Sequence, residues 1–301
     1  MKAMPEKSKL ESPLCPQLEH FDADKSGFST PQTGSPSFTP AYKDTEFLLR
    51  DELRPIRLQL ELLKPELLQQ EYGITSTVVV FGSTRIQSPE SAKEALRAAQ
   101  VELKNDPQAQ QLRNNVEQAN QIVDKSHYYE MAREFGRLVS REARNGGTPA
   151  SVIITGGGGG IMEAANRGAH DVGAKSIGLN IVLPKEQHPN AYITPELCFQ
   201  FQYFALRKMH FLMRAIALVV FPGGYGTLDE LFETLTLIQT KKSESLPVLL
   251  FGREYWQRII NFEALVEEGA IDQADYELFQ YVESPEEAWE VVRKFYSEER
   301  S

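Results

Sequence analysis

Short runs of aliphatic and β-branched residues recur along the chain, separated by segments whose apolar positions fall at helical spacing. Thr77-Val78-Val79-Val80-Phe81 predicts a buried strand, Ser151 to Thr155 a second and Ser176 to Ile181 a third. Cys198 to Tyr203 is a weaker fourth, Ala215 to Phe221 a fifth and Pro247 to Phe251 a sixth. Near-continuous apolar strands of this length suit a parallel sheet covered on both faces. Between them, the spacing predicts a long helix over Asn115 to Arg144 and another over Thr227 to Lys241, with Leu231, Leu235 and Ile238 on one face. Strands and helices that alternate in this way predict an α/β fold with a Rossmann-like, doubly wound parallel sheet, whose ligands sit at the carboxyl ends of the strands.

The first part of the chain has a different pattern. Residues 1–40 hold six of the 17 prolines and six serines, with few aliphatics. Such a segment buries too little apolar surface to offset its chain entropy, and a disordered or surface-hugging tail is expected. A leucine stripe follows: Leu49, Leu53, Ile56, Leu60, Leu63 and Leu67 alternate spacings of four and three. Pro55 and Pro65 fall within it, so two short helices are expected. The organisation read from the sequence is a tail over 1–40, a helical extension over 41–74 and an α/β domain over 75–301.

Composition narrows the function classes. The 32 Lys+Arg against 42 Asp+Glu leave a formal charge of −10, which argues against a broad nucleic-acid surface. Two cysteines, Cys15 and Cys198, make neither a disulfide framework nor a zinc motif, and a reduced, cytoplasmic setting is expected. The apolar run Ala215 to Phe221 is too short to span a membrane, and the opening Met1-Lys2-Ala3-Met4-Pro5 lacks the core of a signal peptide. His127, His170 and His210 are scattered with no metal-ligand spacing, so no metal is expected.

Candidate chemistry gathers at three strand ends. Phe81 runs into Gly82-Ser83-Thr84-Arg85, Thr155 into five glycines, Gly156 to Gly160, and Phe221 into Pro222-Gly223-Gly224-Tyr225-Gly226-Thr227. Glycine permits positive φ and close approach of backbone to a ligand, and a helix starting there points free N–H groups at an anion. Together these turns imply a phosphate-bearing ligand at one edge of the sheet, with Ser83 and Arg85 facing it. The glycine run departs from the dinucleotide fingerprint, because the last position falls on Ile161 or Met162 and no acidic residue closes the strand ending near Asn180-Ile181. Nor does the chain contain a Gly-Lys-Ser/Thr phosphate loop, so a nucleoside monophosphate or similar small phosphoester is favoured.

Pro222-Gly223-Gly224-Tyr225-Gly226-Thr227-Leu228-Asp229-Glu230 resembles the PGGxGTxxE motif of the Lonely Guy (LOG) family of cytokinin riboside 5′-monophosphate phosphoribohydrolases, often mislabelled lysine decarboxylases. Thr155 to Ala164 resembles the family's TGGGPGIMEA segment, with Gly159 in place of the usual proline. Tyr203-Phe204-Ala205-Leu206-Arg207-Lys208 resembles its arginine-lysine helix, although Phe204-Ala205-Leu206 replaces the short plant-type pattern. The resemblance covers roughly residues 75–295. It implies hydrolysis of the N-glycosidic bond of a nucleoside 5′-monophosphate, AMP or a cytokinin riboside monophosphate, to free base and ribose 5-phosphate. It also implies a homodimer or a multiple of one, with no cofactor.

On that resemblance Glu230 is the carboxylate that stabilises the ribose cation, and Arg207 the guanidinium that binds oxygens or polarises the leaving base. Phosphate and ribose contacts are expected from Ser83, Gly157, Gly158, Gly159, Gly160, Glu163, Lys208, Gly223, Gly224, Gly226 and Thr227. Thr227-Leu228-Asp229-Glu230 also reads as a capping box, which would give Glu230 a structural role. A non-catalytic nucleotide-binding protein is the alternative function. A pyridoxal-phosphate decarboxylase needs a Schiff-base lysine, and Lys208 beside Arg207 is a poor nominee.

Overall fold

The computed structural model describes residues 30–145, 151–182 and 188–298. Most of the expected tail, residues 1–29, lies outside the described residues. The chain divides into two compact units, Met1–Arg57 and Leu58–Ser301.

In the first unit a 3-10 turn, Pro36–Phe38, is followed by the short helix α1 (Thr45–Leu48) and a second 3-10 turn, Asp51–Leu53. The Asp44 carboxylate caps α1 by accepting from the Phe47 amide at 2.9 Å. Arg57 donates to the carbonyls of Leu48 and Arg50, both at 2.6 Å, and so ties the turns together.

Helix α2 (Arg54–Glu71) begins at the end of that unit and runs into the second. It is one helix where the prolines predicted two. Pro55 sits in the first turn, where its missing N–H has no intrahelical acceptor. Pro65 is interior and buried, and leaves the Glu61 carbonyl without its amide donor. Side chains of the second unit hold the helix across that gap. The Glu61 carboxylate accepts from the Gln202 amide at 2.7 Å and the Tyr203 amide at 3.2 Å. Glu66 takes both arms of the Arg214 guanidinium, at 2.5 and 2.6 Å. The buried His210 ring lies beside the carbonyls of Glu61 and Leu62, and burial lowers its pKa.

The rest of the second unit alternates strands and helices. In order these are β1 (Thr77–Phe81), α3 (Pro89–Asn105), α4 (Gln110–Lys125), α5 (His127–Arg144), β2 (Val152–Thr155), α6 (Ile161–Asp171) and β3 (Ser176–Ile181). There follow β4 (Cys198–Phe201), α7 (Phe204–Leu212), β5 (Ala215–Val220), α8 (Tyr225–Gln239) and β6 (Val248–Phe251). Helices α9 (Arg253–Ile259), α10 (Phe262–Glu267) and α11 (Gln273–Tyr276) precede β7 (Gln280–Val282) and α12 (Pro285–Glu298). The expected helix over Asn115 to Arg144 is two helices, α4 and α5, that meet at Ser126.

The seven strands among the described residues are all parallel, in the order β4-β3-β2-β1-β5-β6-β7. The chain builds outward from β1 in one direction through β4, then returns to the other side of β1 with β5. This is the doubly wound, Rossmann-like sheet expected from the strand pattern, and its direction reverses between β1 and β5. Alternation along β1 divides its side chains between two cores. Val78 and Val80 join Phe135, Ile161 and Trp289 on one face, while Val79 and Phe81 join Phe211, Leu231 and Trp256 on the other. The sheet is thus buried on both sides, as its unbroken apolar strands require. No helix among the described residues is long and apolar enough to cross a membrane.

Candidate active site

A cavity of about 590 Å3 opens at the carboxyl ends of β1 and β5, where the strand order reverses. Ligands in open α/β sheets collect at this position because two neighbouring loops diverge there. The loops are coupled: the Ser83 amide donates to the Pro222 carbonyl at 2.9 Å, extending the β1–β5 pairing beyond the sheet.

One wall is the start of α8. Gly224 caps the helix with extended backbone and no side-chain hydrogen bond. The Thr227 and Leu228 amides both turn back to the Gly224 carbonyl at 3.0 Å. The amides of Tyr225 and Gly226 have no acceptor among the described residues. A 15-residue helix therefore presents free N–H groups and its positive end to the cavity, with the Thr227 hydroxyl beside them. Thr227 is the third residue of α8 and not its cap, so the expected capping box is not formed. The helix starts two residues earlier because Gly224 can take the cap position without a side chain.

Glu230 stands one turn further along α8 and lines the same cavity. It is only 7% exposed, and burial pushes its carboxyl up to about 7 against the opposing charges of Lys208 and Arg207. A carboxylate held near neutrality in a cavity is placed for charge stabilisation or proton transfer.

Arg207 enters from α7. Its Nε donates to the Leu179 carbonyl at 2.7 Å, and its guanidinium lies 5.0 Å from the centre of the Phe211 ring. Burial lowers its pKa while Glu230 raises it. The guanidinium occupies the space that a side chain at Gly156 would need: a Cβ there would stand 2.6 Å from the terminal nitrogen and 2.9 Å from the Met162 sulfur. Gly156→Ala is expected to keep the fold, since the obstructing atoms are the ends of flexible side chains, but to displace Arg207. In an assay of whichever nucleotide is turned over, kcat should fall at least about tenfold with little change in melting temperature. An unchanged kcat would show that the arginine position is not critical.

Of the predicted site residues, the structure brings Ser83, Arg207, Gly224, Gly226, Thr227 and Glu230 to this cavity. Gly157, Gly158, Gly159 and Gly160 do not line it. The carbonyls of Gly157 and Gly158 accept from the Asn190 amide at 3.2 and 3.0 Å, and Gly160, at φ 67°, packs against the Ser83 and Thr84 backbone. Ile161, which opens α6, already donates its amide to the Ser83 carbonyl. A Cβ at Gly156, Gly157 or Gly160 would meet neighbouring atoms, so the run packs closely on the strand ends. Glu163 accepts from the Tyr129 hydroxyl at 2.7 Å. Gly223 lies behind Thr227, where a Cβ would strike the threonine side chain. Lys208 is neutralised by Asp229 at 2.8 Å and Glu233 at 2.6 Å and lies 3.9 Å from Glu230. Arg214 is held by Glu66, so the cationic stretch of the sequence does not form a single anion site.

Met162, Phe204 and Tyr225 also line the cavity and were not among the predicted site residues. Two aromatics, both exposed, thus flank its mouth. Exposed aromatic residues inside recognised motifs were the available signal.

Comparison with known proteins gives the lineage. The family model described as "Possible lysine decarboxylase" matches residues 162–292, which include Arg207 and Glu230. Cytokinin riboside 5′-monophosphate phosphoribohydrolase LOG3 of Arabidopsis thaliana is 31% identical over 175 residues, spanning 56% of this chain and 75% of that protein. The chain belongs to the LOG family. A second LOG protein, LOG4 of the same plant, is 32% identical over 152 residues, covering 49% of this chain and 66% of that one. Among solved structures, the molybdenum cofactor binding protein from Rippkaea orientalis is similar at 19% identity and a TM-score of 0.39, over 56% of this chain and 87% of that one. The LOG motif Pro222–Glu230 is thus the turn after β5 and the first six residues of α8, and the LOG arginine-lysine pair lies on the helix before β5.

Proposed function

We propose that the protein hydrolyses the N-glycosidic bond of a nucleoside 5′-monophosphate, releasing the free base and ribose 5-phosphate. The observation that carries this reading is the placement of Glu230, buried beside Arg207 and one turn beyond the open N-terminus of α8. The similarity to curated phosphoribohydrolases supports the same chemistry.

The roles follow from charge. The 5′-phosphate docks on the Tyr225 and Gly226 amides, with the Ser83 and Thr227 hydroxyls as further partners. This leaves the sugar over Glu230 and the base against Phe204, Tyr225 and Met162. As the C1′–N bond breaks, its electron pair leaves with the base and positive charge spreads over C1′ and the ring oxygen. The ionised Glu230 carboxylate stabilises that charge in a site where little water screens it. Water then adds to C1′, and its proton passes to Glu230 and on to solvent or the base. Arg207 stays protonated and acts by attraction on oxygens or on the departing base, not as a proton donor.

AMP is the first substrate to test, because two aromatics and a methionine suit a flat purine. Incubation with AMP, GMP, CMP and UMP, resolved by chromatography, should yield free base from at least one nucleotide. Binding without base release from any of them, or from a cytokinin riboside monophosphate, would favour the non-catalytic alternative. The site as an assembled homodimer belongs to the same proposal, and sedimentation analysis of the full chain tests it.

A further inference from the structure

A second cavity, of about 770 Å3, shares the segment Ser83, Thr84 and Arg85 with the first. Its other walls come from α4, which contributes Gln118, Gln121 and Lys125, and from Pro222, Gly223 and Tyr255. The Tyr255 hydroxyl is committed to the Gly223 carbonyl at 2.6 Å, which fixes that wall beside the α8 turn.

The charge of this cavity is opposite to that of the chain. Overall the protein carries −10, and the first cavity sets Asp229 and Glu230 against Arg85 and Arg207. Among the described residues no carboxylate lines the second, whereas Arg85 and Lys125 both do. Neither cation has an ion-pair partner among the described residues, whereas Lys208, next to Arg207 in sequence, is paired with Asp229 and Glu233. The amides of Gln87, Gln118 and Gln121 and the hydroxyls of Ser83 and Thr84 complete a polar lining. Two unpaired cations surrounded by neutral hydrogen-bonding groups suit an anion with several oxygen acceptors.

The source of these groups is also distinctive. Helices α3 and α4 form a hairpin between β1 and α5 and bury only Ala92 and Ala119. The hairpin contributes little to the core, yet α4 supplies one wall of a cavity larger than the first.

We propose that the second cavity is a distinct binding site for a phosphate-bearing small molecule, held by Arg85 and Lys125 with the Gln118 and Gln121 amides. Because Ser83–Arg85 borders both cavities, occupancy of one alters the wall of the other, and any effect on affinity must be reciprocal. The site does not depend on the proposed glycosidase activity, and its test needs no turnover.

Inorganic pyrophosphate is the probe, titrated calorimetrically into the full chain and three variants. In the first cavity Thr227→Val removes a hydroxyl at nearly constant shape. In the second, Lys125→Gln removes the charge from an exposed side chain and Gln118→Ala removes an amide. Pyrophosphate binding is expected to persist in Thr227→Val and to weaken about tenfold in Lys125→Gln, with a smaller loss in Gln118→Ala. Melting temperatures measured without pyrophosphate should match wild type for both α4 variants. Loss of binding in Thr227→Val, wild-type affinity in Lys125→Gln, or no binding at millimolar pyrophosphate would each overturn the second site.

Discussion

Glu230→Gln is expected to reduce kcat on the active nucleotide at least about a hundredfold while making the protein more stable above neutral pH. The rate loss corresponds to on the order of 3 kcal/mol of transition-state stabilisation. Glutamine keeps the shape of the side chain and removes only the charge that faces the developing cation. The stability gain follows from the carboxyl group's displaced titration. Its pKa is raised from 4.5 to about 7 by burial, so the folded protein holds the proton more tightly than the unfolded chain does. The ionised group therefore costs the fold stability progressively as pH rises from 4.5 to 7, and the full cost is present above 7. Glutamine removes that cost, which is on the order of 3 kcal/mol for a group so little exposed to solvent. Lys208 is not left stranded, because Asp229 and Glu233 remain within 2.8 and 2.6 Å. Melting curves of the two proteins should nearly coincide at pH 4.5 and separate by pH 8, with the variant higher. Wild-type kcat/KM should rise with pH through the same range, and the variant should lose that limb. A variant with wild-type turnover would remove Glu230 from the chemistry.

Arg207→Ala is expected to cost a comparable factor in kcat/KM, about a hundredfold or more, by analogy with the loss of one fixed donor to developing charge. Here stability should fall rather than rise. The substitution leaves the Leu179 carbonyl without its donor and takes away the guanidinium packed over Phe211, a loss of about 1–2 kcal/mol. Arg207→Lys restores the charge but not the planar fork, so it should recover stability more fully than rate. Equal recovery of both by lysine would mean that a point charge suffices. Unchanged kcat/KM in the alanine variant would retire the arginine's role.

The strands were legible because each is a continuous apolar run between turn residues, and β1 and β3 match the residues read from the pattern. β7 escaped that reading: Gln280-Tyr281-Val282 is short, lies at the sheet edge and buries only Val282. The α4–α5 boundary was hidden for a different reason. Ser126 joins the helices with helical backbone angles, φ −64° and ψ −19°, and no glycine or proline marks the break. In the site, the α8 turn is legible because Pro222–Glu230 carries a nine-residue motif directly after a clear apolar strand. The five-glycine run carries the same expectation of phosphate contact, but it does not line the cavity, and Asn190, more than 30 residues away in sequence, holds the carbonyls of Gly157 and Gly158. That pairing depends on tertiary packing, which local spacing does not encode. The pKa of Glu230 is likewise a product of burial and of charges brought together from α7 and α8.

Cleavage between C1′ and the base nitrogen by water is checked by incubating the full chain with AMP in 18O-enriched water. Mass spectrometry of the products should show adenine together with ribose 5-phosphate carrying one 18O at C1, and no labelled inorganic phosphate. Label in inorganic phosphate with adenosine as the other product would rule out glycosidic cleavage, because water would then have attacked phosphorus and left the C1′–N bond whole.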